Sequence, residues 1–271
     1  MEEISLKGDL PRTLILVHGL TGTPNEMKFL AYYFNKLGYS VHCPRLANHG
    51  EPLQKLKYTS WEEFYQSVRE AFLEARKRGD KVFVAGLSMS ALLVLLLANE
   101  FGDEVGGVAC LAPTLFFDGW AIPWYRCFLP VICHTGLKNF VYFKEDAPYG
   151  IKNERIRDLV HKYFTKAKLK NIDEIDKFGY AFFPVTLLYQ LELLVKHLTS
   201  KLKDIEVPVQ LIHSKEDDTA SLENSRFIFD RIGSKIKEMV ILKNSYHVIT
   251  ADQERDKVAH KMESFFEKIH V

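Results

Sequence analysis

A serine between small residues, in Gly86-Leu-Ser88-Met-Ser90, has the pattern of a presented nucleophile. A serine hydroxyl is a poor nucleophile at neutral pH unless an imidazole accepts its proton and a carboxylate orients that imidazole. An acidic loop, Glu216-Asp217-Asp218, and then His247 follow the serine along the chain. The order serine, acid, histidine predicts nucleophilic catalysis with Ser88 as the attacking group.

The residues around the serine predict a strand, a sharp turn and a buried helix. Residues 82–85 are β-branched, aromatic or small, and residues 89–98 are rich in leucine and alanine. Ser88 is therefore expected at a strand-to-helix corner, which holds its hydroxyl out from the strand ends. Gly86 is needed because such a turn brings backbone close to backbone, and Ser90 replaces the usual second glycine of the pattern. Ser90 is expected to face packing inside the helix.

The acid and the base each follow a predicted strand. Residues 209–213 precede the acidic loop, and residues 238–242 precede the segment that contains His247. In open α/β sheets, ligands bind at the carboxyl ends of the strands, so these side chains are expected to meet Ser88 there. Position alone leaves both Asp217 and Asp218 as candidates for the acid. His213, inside its strand, is expected to be a core or near-site residue.

Two backbone amides are predicted to bind the negative oxygen of a tetrahedral intermediate. Amides suit this task because they point inward without a side chain to desolvate. The amide of Met89 begins the elbow helix, and the amide of Leu20 lies after the first strand, in His18-Gly-Leu-Thr-Gly22. His18 is expected to shape this loop rather than to move protons.

Six short strands that alternate with helices predict an α/β fold with a mostly parallel sheet covered on both faces. The alternation breaks once, in an insert rich in large apolar side chains. The predicted core is therefore 1–112 with 203–271, and 113–202 is a helical, aromatic-rich cap inserted in it. The predicted strands are 12–17, 39–43, 82–85, 106–111, 209–213 and 238–242, and the main predicted helices begin near Thr23, Trp61, Met89, Leu222 and Gln253.

Composition excludes several classes of function. A formal net charge of +1 gives no electrostatic basis for binding nucleic acid. The four cysteines lack ligand spacing, and no H-E-x-x-H or glycine-rich phosphate loop occurs, so no metal and no cofactor are predicted. The first residues lack the basic and apolar regions of a secretory signal, which predicts a cytoplasmic protein. The longest apolar run is far shorter than the roughly 20 residues of a membrane span.

Five motifs occur in order along the chain: His18-Gly-Leu-Thr-Gly22, Asn48-His-Gly50, the serine motif, the acidic loop, and Ser245-Tyr-His-Val-Ile-Thr-Ala-Asp252. Together they resemble the α/β-hydrolase superfamily, most closely bacterial carboxylesterases and monoacylglycerol lipases. The resemblance spans nearly the whole chain outside the cap. It implies Ser88 as nucleophile, Asp217 as acid and His247 as base. It also implies an oxyanion hole formed by the amides of Leu20 and Met89.

Three positions differ from the usual pattern of the superfamily, and the acidic loop contains a second aspartate. Ser90, Asn48 and Ser214 stand where the superfamily often has glycine, which bears on substrate fit because no catalytic group is lost. With Asp217 as the acid, Asp218 is expected to be a solvated neighbour.

The expected function is that of a serine hydrolase cleaving short or medium acyl esters, or monoacylglycerol-like lipids, through an acyl-enzyme. Lysophospholipase, thioesterase, acyltransferase and peptidase activities share the same triad and stay open, as does a non-catalytic hydrolase-fold binding module. Part of the cap is expected to line an acyl pocket. Residues 119–125 and 127–133, each interrupted by a proline, are candidates for a lid edge that touches lipid aggregates. Dimerisation through the cap is compatible with this function.

Overall fold

The computed structural model describes residues 2–166, 175–176 and 179–270. Its main sheet contains β1 (Ile4–Leu6), β2 (Arg12–Val17), β3 (Ser40–Cys43), β4 (Lys81–Leu87), β5 (Val105–Leu111), β10 (Val209–Ser214) and β11 (Lys237–Leu242). These seven strands lie in the order β1-β3-β2-β4-β5-β10-β11, and all neighbours pair in parallel except β1 with β3. The predicted α/β class is confirmed.

Helices cover both faces of this sheet, and an apolar cluster fills each interface. The helices are α1 (Lys28–Lys36), α2 (Leu53–Leu56), α3 (Trp61–Arg76), α4 (Met89–Phe101), α5 (Leu129–Cys133), α6 (Glu154–Phe164), α7 (Val185–Thr199), α8 (Glu223–Arg231) and α9 (Arg255–His270). One face of the sheet is covered mainly by α1 and α9, and the other by α3, α4, α7 and α8. Strands and amphipathic helices alternate along the chain because the crossover that joins two parallel strands usually contains a helix.

Helix α4 follows β4 directly and is buried on every side over its first ten residues. It packs on β4 and β5 beneath and on α3 and α7 above. A helix enclosed in this way can be apolar all round, which explains its leucine-rich sequence without polar alternation. The predicted strand, corner and helix are therefore present.

Strand β1 was not predicted from the sequence. It has three residues and pairs antiparallel with β3, Ile4 opposite Cys43. Three residues are too few for an alternating pattern to stand out, and pairing with a distant strand supplies their backbone partners.

The insert contains helices and also short paired strands, which were not predicted from the sequence. Helices α6 and α7 form the main helical part of the insert, and two ribbons of paired strands accompany them. These strands have only two or three residues, which leaves no period for a sequence to reveal. Helix α7 also packs on α3 and α4 and joins their apolar cluster. The ribbon strands are β6 (Tyr142–Lys144) with β9 (Phe182–Pro184), and β7 (Ile175–Asp176) with β8 (Gly179–Tyr180).

No described helix is both long and apolar enough to cross a membrane.

Candidate active site

Ser88 lies at the corner between β4 and α4 with φ 58° and ψ −121°. This positive φ is uncommon for a residue with a side chain, and such strain occurs where a structure holds a functional group in place. Its amide donates to the Leu111 carbonyl at 2.8 Å, which ties the corner to β5. A Cβ on Gly86 would lie 2.2 Å from the Ser90 carbonyl oxygen, so glycine is required there.

Ser90 is fully buried and donates its hydroxyl hydrogen to the His18 carbonyl. It therefore faces packing, as predicted, and links the start of α4 to the end of β2. The contact explains how serine can occupy a position where glycine is common.

His247 bridges the serine and the acidic loop. Its Nε2 lies 2.9 Å from the Ser88 hydroxyl oxygen, and its Nδ1 lies 2.8 Å from Oδ2 of Asp217. His247 and Asp217 are 7% and 3% exposed, so water competes little for these bonds. Thr114, which follows β5, places its hydroxyl 3.1 Å from that of Ser88.

Asp217 is held by four donors. Its Oδ1 accepts from the amides of Thr219 and Ala220 at 2.9 and 2.8 Å. Its Oδ2 faces both His247 and Nε2 of His213, the latter at 3.2 Å. Burial alone would raise the pKa of this carboxyl, but the charge of His247 and the two histidine hydrogen bonds hold it well below its usual range. Asp217 therefore stays ionised beside the imidazole.

The surroundings of His247 favour its protonated form. Burial by itself lowers the pKa of the imidazole, yet the charge and hydrogen bond of Asp217 outweigh it. The charges of Asp218 and Glu26 act in the same direction, and the net result is a raised pKa. An imidazole in this setting can accept a proton from a serine and keep it while an intermediate forms.

Asp218 is not the solvated neighbour that the sequence suggested. It is 3% exposed, and its carboxylate accepts from the amides of His247 and Gly150 at 3.2 and 3.0 Å. Burial is the main cause that raises its pKa. The sequence could not indicate this, because the carboxylate is covered by a segment of the insert 68 residues away.

That segment of the insert is bonded to the loop of the histidine at several points. The amide of Val248 donates to the Gly150 carbonyl at 2.8 Å. Asp252 accepts from the amides of Lys152 and Asn153 at 2.9 and 2.8 Å. Residues 150–153 therefore form a fixed support behind His247.

The amides of Leu20 and Met89 have no hydrogen-bond acceptor among the described residues. Two histidines hold the neighbouring carbonyls: Nδ1 of His18 lies 2.9 Å from the Gly19 oxygen, and Nε2 of His49 lies 2.7 Å from the Leu20 oxygen. Burial lowers the pKa of His18 well below its usual range and that of His49 to about 4, so both are neutral donors. The two amides are free to bind an anionic oxygen.

Two further carboxylates near the histidine were not found from the sequence. Burial raises the pKa of Glu26 and of Glu145 to about 7, and both carboxylates act electrostatically on His247. Glu26 lies in the first turn of a capped helical segment, where an acidic residue is ordinary, and Glu145 lies in the insert, where no motif marks it. In the parts of the chain that the structure describes, no group of three or more His, Cys, Asp or Glu side chains could hold a metal ion.

Comparison with known proteins identifies one family, together with similar lipases and esterases. The model of a family described as serine aminopeptidase, S33, matches residues 9–254. The chain is 30% identical to the thermostable monoacylglycerol lipase of Bacillus sp. (strain H-257), over 95% of this chain and 91% of that protein. It is 22% identical to the carboxylesterase of Bacillus subtilis (strain 168), over 95% and 93%. The crystal structure of the Paleococcus ferrophilus monoacylglycerol lipase superposes with a TM-score of 0.78 at 19% identity, over 99% and 98%.

Proposed function

The chain belongs to the family described as serine aminopeptidase, S33, of the α/β-hydrolase superfamily, and we propose that it hydrolyses esters carrying one acyl chain through an acyl-enzyme on Ser88. It is a carboxylic ester hydrolase. The observation that carries the proposal is the hydrogen-bonded series from the Ser88 hydroxyl through His247 to Asp217.

The geometry supports a two-stage mechanism. The Ser88 hydroxyl attacks the ester carbonyl carbon while Nε2 of His247 accepts its proton, and Asp217 stabilises the imidazolium that results. The carbonyl oxygen becomes negative and accepts from the amides of Leu20 and Met89. Collapse breaks the bond to the alcohol, which leaves with the proton returned by His247. Water then repeats the sequence on the acyl-enzyme and releases the carboxylic acid.

Monoacylglycerol-like esters are the substrate class we favour. The most similar relative described above is a monoacylglycerol lipase, and the insert over this site is rich in apolar side chains. An acyl chain needs an apolar enclosure, whereas the small alcohol needs polar contacts near the histidine. The half-buried carboxylates of Glu26 and Glu145 beside His247 are suited to accept such contacts.

The test combines an active-site probe with a substrate panel. A fluorophosphonate should label the wild-type protein and fail to label Ser88→Ala, with Ser90→Ala as the matched control that keeps labelling. The panel contains p-nitrophenyl esters and monoacylglycerols from acetate to palmitate, a lysophospholipid, an acyl thioester and an aminoacyl arylamide. Labelling of Ser88→Ala would overturn the nucleophile, and faster turnover of the lysophospholipid, thioester or arylamide would overturn the substrate class.

We also propose that the front of the insert contacts lipid aggregates during substrate uptake. Large apolar side chains between residues 116 and 140 are exposed, with Trp124 at 79% and Phe140 at 80%. Arg126 and Lys138 lie within the same stretch, and an aromatic surface with nearby cations suits a lipid–water interface. The remaining exposed members are Phe116, Trp120, Phe128, Val131 and Leu137.

Vesicle sedimentation tests this surface. Phosphatidylcholine vesicles with added anionic lipid should retain the wild-type protein and lose the double variant Trp124→Ser/Phe140→Ser. Ile236→Ser, at an exposed apolar position directly before β11, serves as the control. A concentration-dependent dimer that the double variant abolishes, without vesicle binding by the wild type, would assign the surface to a second copy of the chain.

A further inference from the structure

The carboxylate of Glu26 folds back into the loop that carries the Leu20 amide. Its Oε2 accepts from the Gly19 amide at 2.9 Å. The Glu26 backbone amide donates to the Thr23 carbonyl at 3.0 Å, within a short 3-10 turn at Pro24–Met27. This turn fixes the position from which the side chain reaches Gly19.

Gly22 makes room for this carboxylate. A Cβ on Gly22 would lie 2.1 Å from Oε2 of Glu26 and 2.3 Å from its Cδ. Gly22 is not among the residues with positive φ, so space rather than backbone conformation explains the glycine. A Cβ on Gly19 would lie 3.5 Å from the same Oε2 and 3.7 Å from Cβ of Ser88. The carboxylate and the nucleophile therefore both lie close to Gly19.

Gly19 is held at both of its polar groups. Glu26 accepts from its amide, while its carbonyl accepts from the His18 imidazole at 2.9 Å and from the Gly22 amide at 3.2 Å. A trans peptide is planar, with its carbonyl and the following N–H pointing in opposite directions. Holding Gly19 in this way therefore directs the Leu20 N–H.

The carboxylate also acts on the base. The charge of Glu26 raises the pKa of His247, and the charge of His247 in turn opposes the effect of burial on Glu26. Glu26 thus acts on two parts of the site: on Gly19 through a hydrogen bond, and on His247 through an electrostatic interaction. The charges that act on Glu26 are those of His247 and Glu145. Those that act on His247 are Asp217, Asp218, Glu26 and Glu145, and His213 faces the shared Asp217.

We propose that Glu26 is a positioning residue for the ester hydrolysis proposed above. It aligns the Leu20 amide through Gly19. It does not touch the reacting atoms. The inference rests on the proposed function, because it assumes that an oxyanion forms at this loop.

Two substitutions separate the hydrogen bond from the charge. Glu26→Gln keeps an acceptor oxygen and removes the charge, whereas Glu26→Ala removes both. We expect Glu26→Ala to lower kcat about 10- to 100-fold with KM within about threefold, because a displaced oxyanion donor weakens only the transition state. Glu26→Gln should keep most of kcat, because the retained oxygen can still accept from the Gly19 amide.

The assay is p-nitrophenyl butyrate hydrolysis from pH 5 to 9, together with the second-order rate of fluorophosphonate labelling. Glu104→Gln removes a carboxylate paired with Arg76 far from the site and is the control for charge loss. A wild-type kcat in Glu26→Ala, or an equal loss of kcat in Glu26→Gln, would overturn the inference. If Glu26→Ala fails to fold, Glu26→Leu, which fills a similar space without an acceptor, takes its place with the same expected loss. An inactive wild type, or labelling of Ser88→Ala, would instead overturn the proposed function.

Discussion

Replacement of Asp217 by asparagine gives the sharpest test of the proposed acid. The Oδ1 atom faces two backbone N–H donors, from Thr219 and Ala220, so the amide oxygen of an asparagine must take that position. The amide nitrogen then faces Nδ1 of His247, at the present distance of 2.8 Å from Oδ2. Two donors cannot share that contact, so Nδ1 must lose its proton and Nε2 must carry it. An Nε2–H imidazole cannot accept the Ser88 proton.

The expected loss in kcat for Asp217→Asn is about 10⁴-fold, the size that a wrong tautomer causes in such a triad. This equals about 5 kcal/mol of transition-state stabilisation. Asp218→Asn is the matched control, because Asp218 accepts from backbone amides, among them those of Gly150 and His247, and not from the imidazole of His247. It should lower the free energy of unfolding by about 1–3 kcal/mol and kcat far less than Asp217→Asn does.

Steady-state hydrolysis of p-nitrophenyl butyrate and urea unfolding measure both effects. The two substitutions are at adjacent positions and make the same chemical change, so a general loss of charge cannot explain a difference in kcat between the two variants. A kcat for Asp217→Asn within tenfold of the wild type, or a larger loss in Asp218→Asn, would refute this assignment of the acid.

Three other outcomes follow from the same contacts. Gly86→Ala should abolish fluorophosphonate labelling, because its Cβ would lie 2.2 Å from the Ser90 carbonyl oxygen; full labelling with an unchanged Tm would contradict this. The acid limb of kcat/KM should lie above the ordinary histidine value of 6.5, since neighbouring carboxylates raise the pKa of His247, and a midpoint below 6.5 in a pH titration would be inconsistent with that field. Leu194→Ala, at a fully buried position of α7, should cost about 2–5 kcal/mol in urea unfolding. A cost under about 1 kcal/mol would mean that α7 is not part of the core packing.

The sequence by itself determined the main elements of the core and their order. Short β-branched or apolar runs, amphipathic helical spacing and the leucine-rich run of α4 were local patterns, so six strands and the helices between them could be found within a few residues. The small residues around Ser88 and the loops that follow β10 and β11 also indicated which side chains meet at the sheet edge. The roles of those residues in catalysis stay a proposal, although the structure brings Ser88, Asp217 and His247 into hydrogen-bond distance.

Only the tertiary structure decided which carboxylates are buried and what they hold. Asp217 and Asp218 are neighbours in a run of acids, and their different partners come from His247 and from Gly150, residues far away along the chain. Glu26 looked like a helix-start residue, yet its side chain supports Gly19. Hydrogen bonds and burial at such positions depend on segments that folding brings together, and these contacts leave no period in the local sequence.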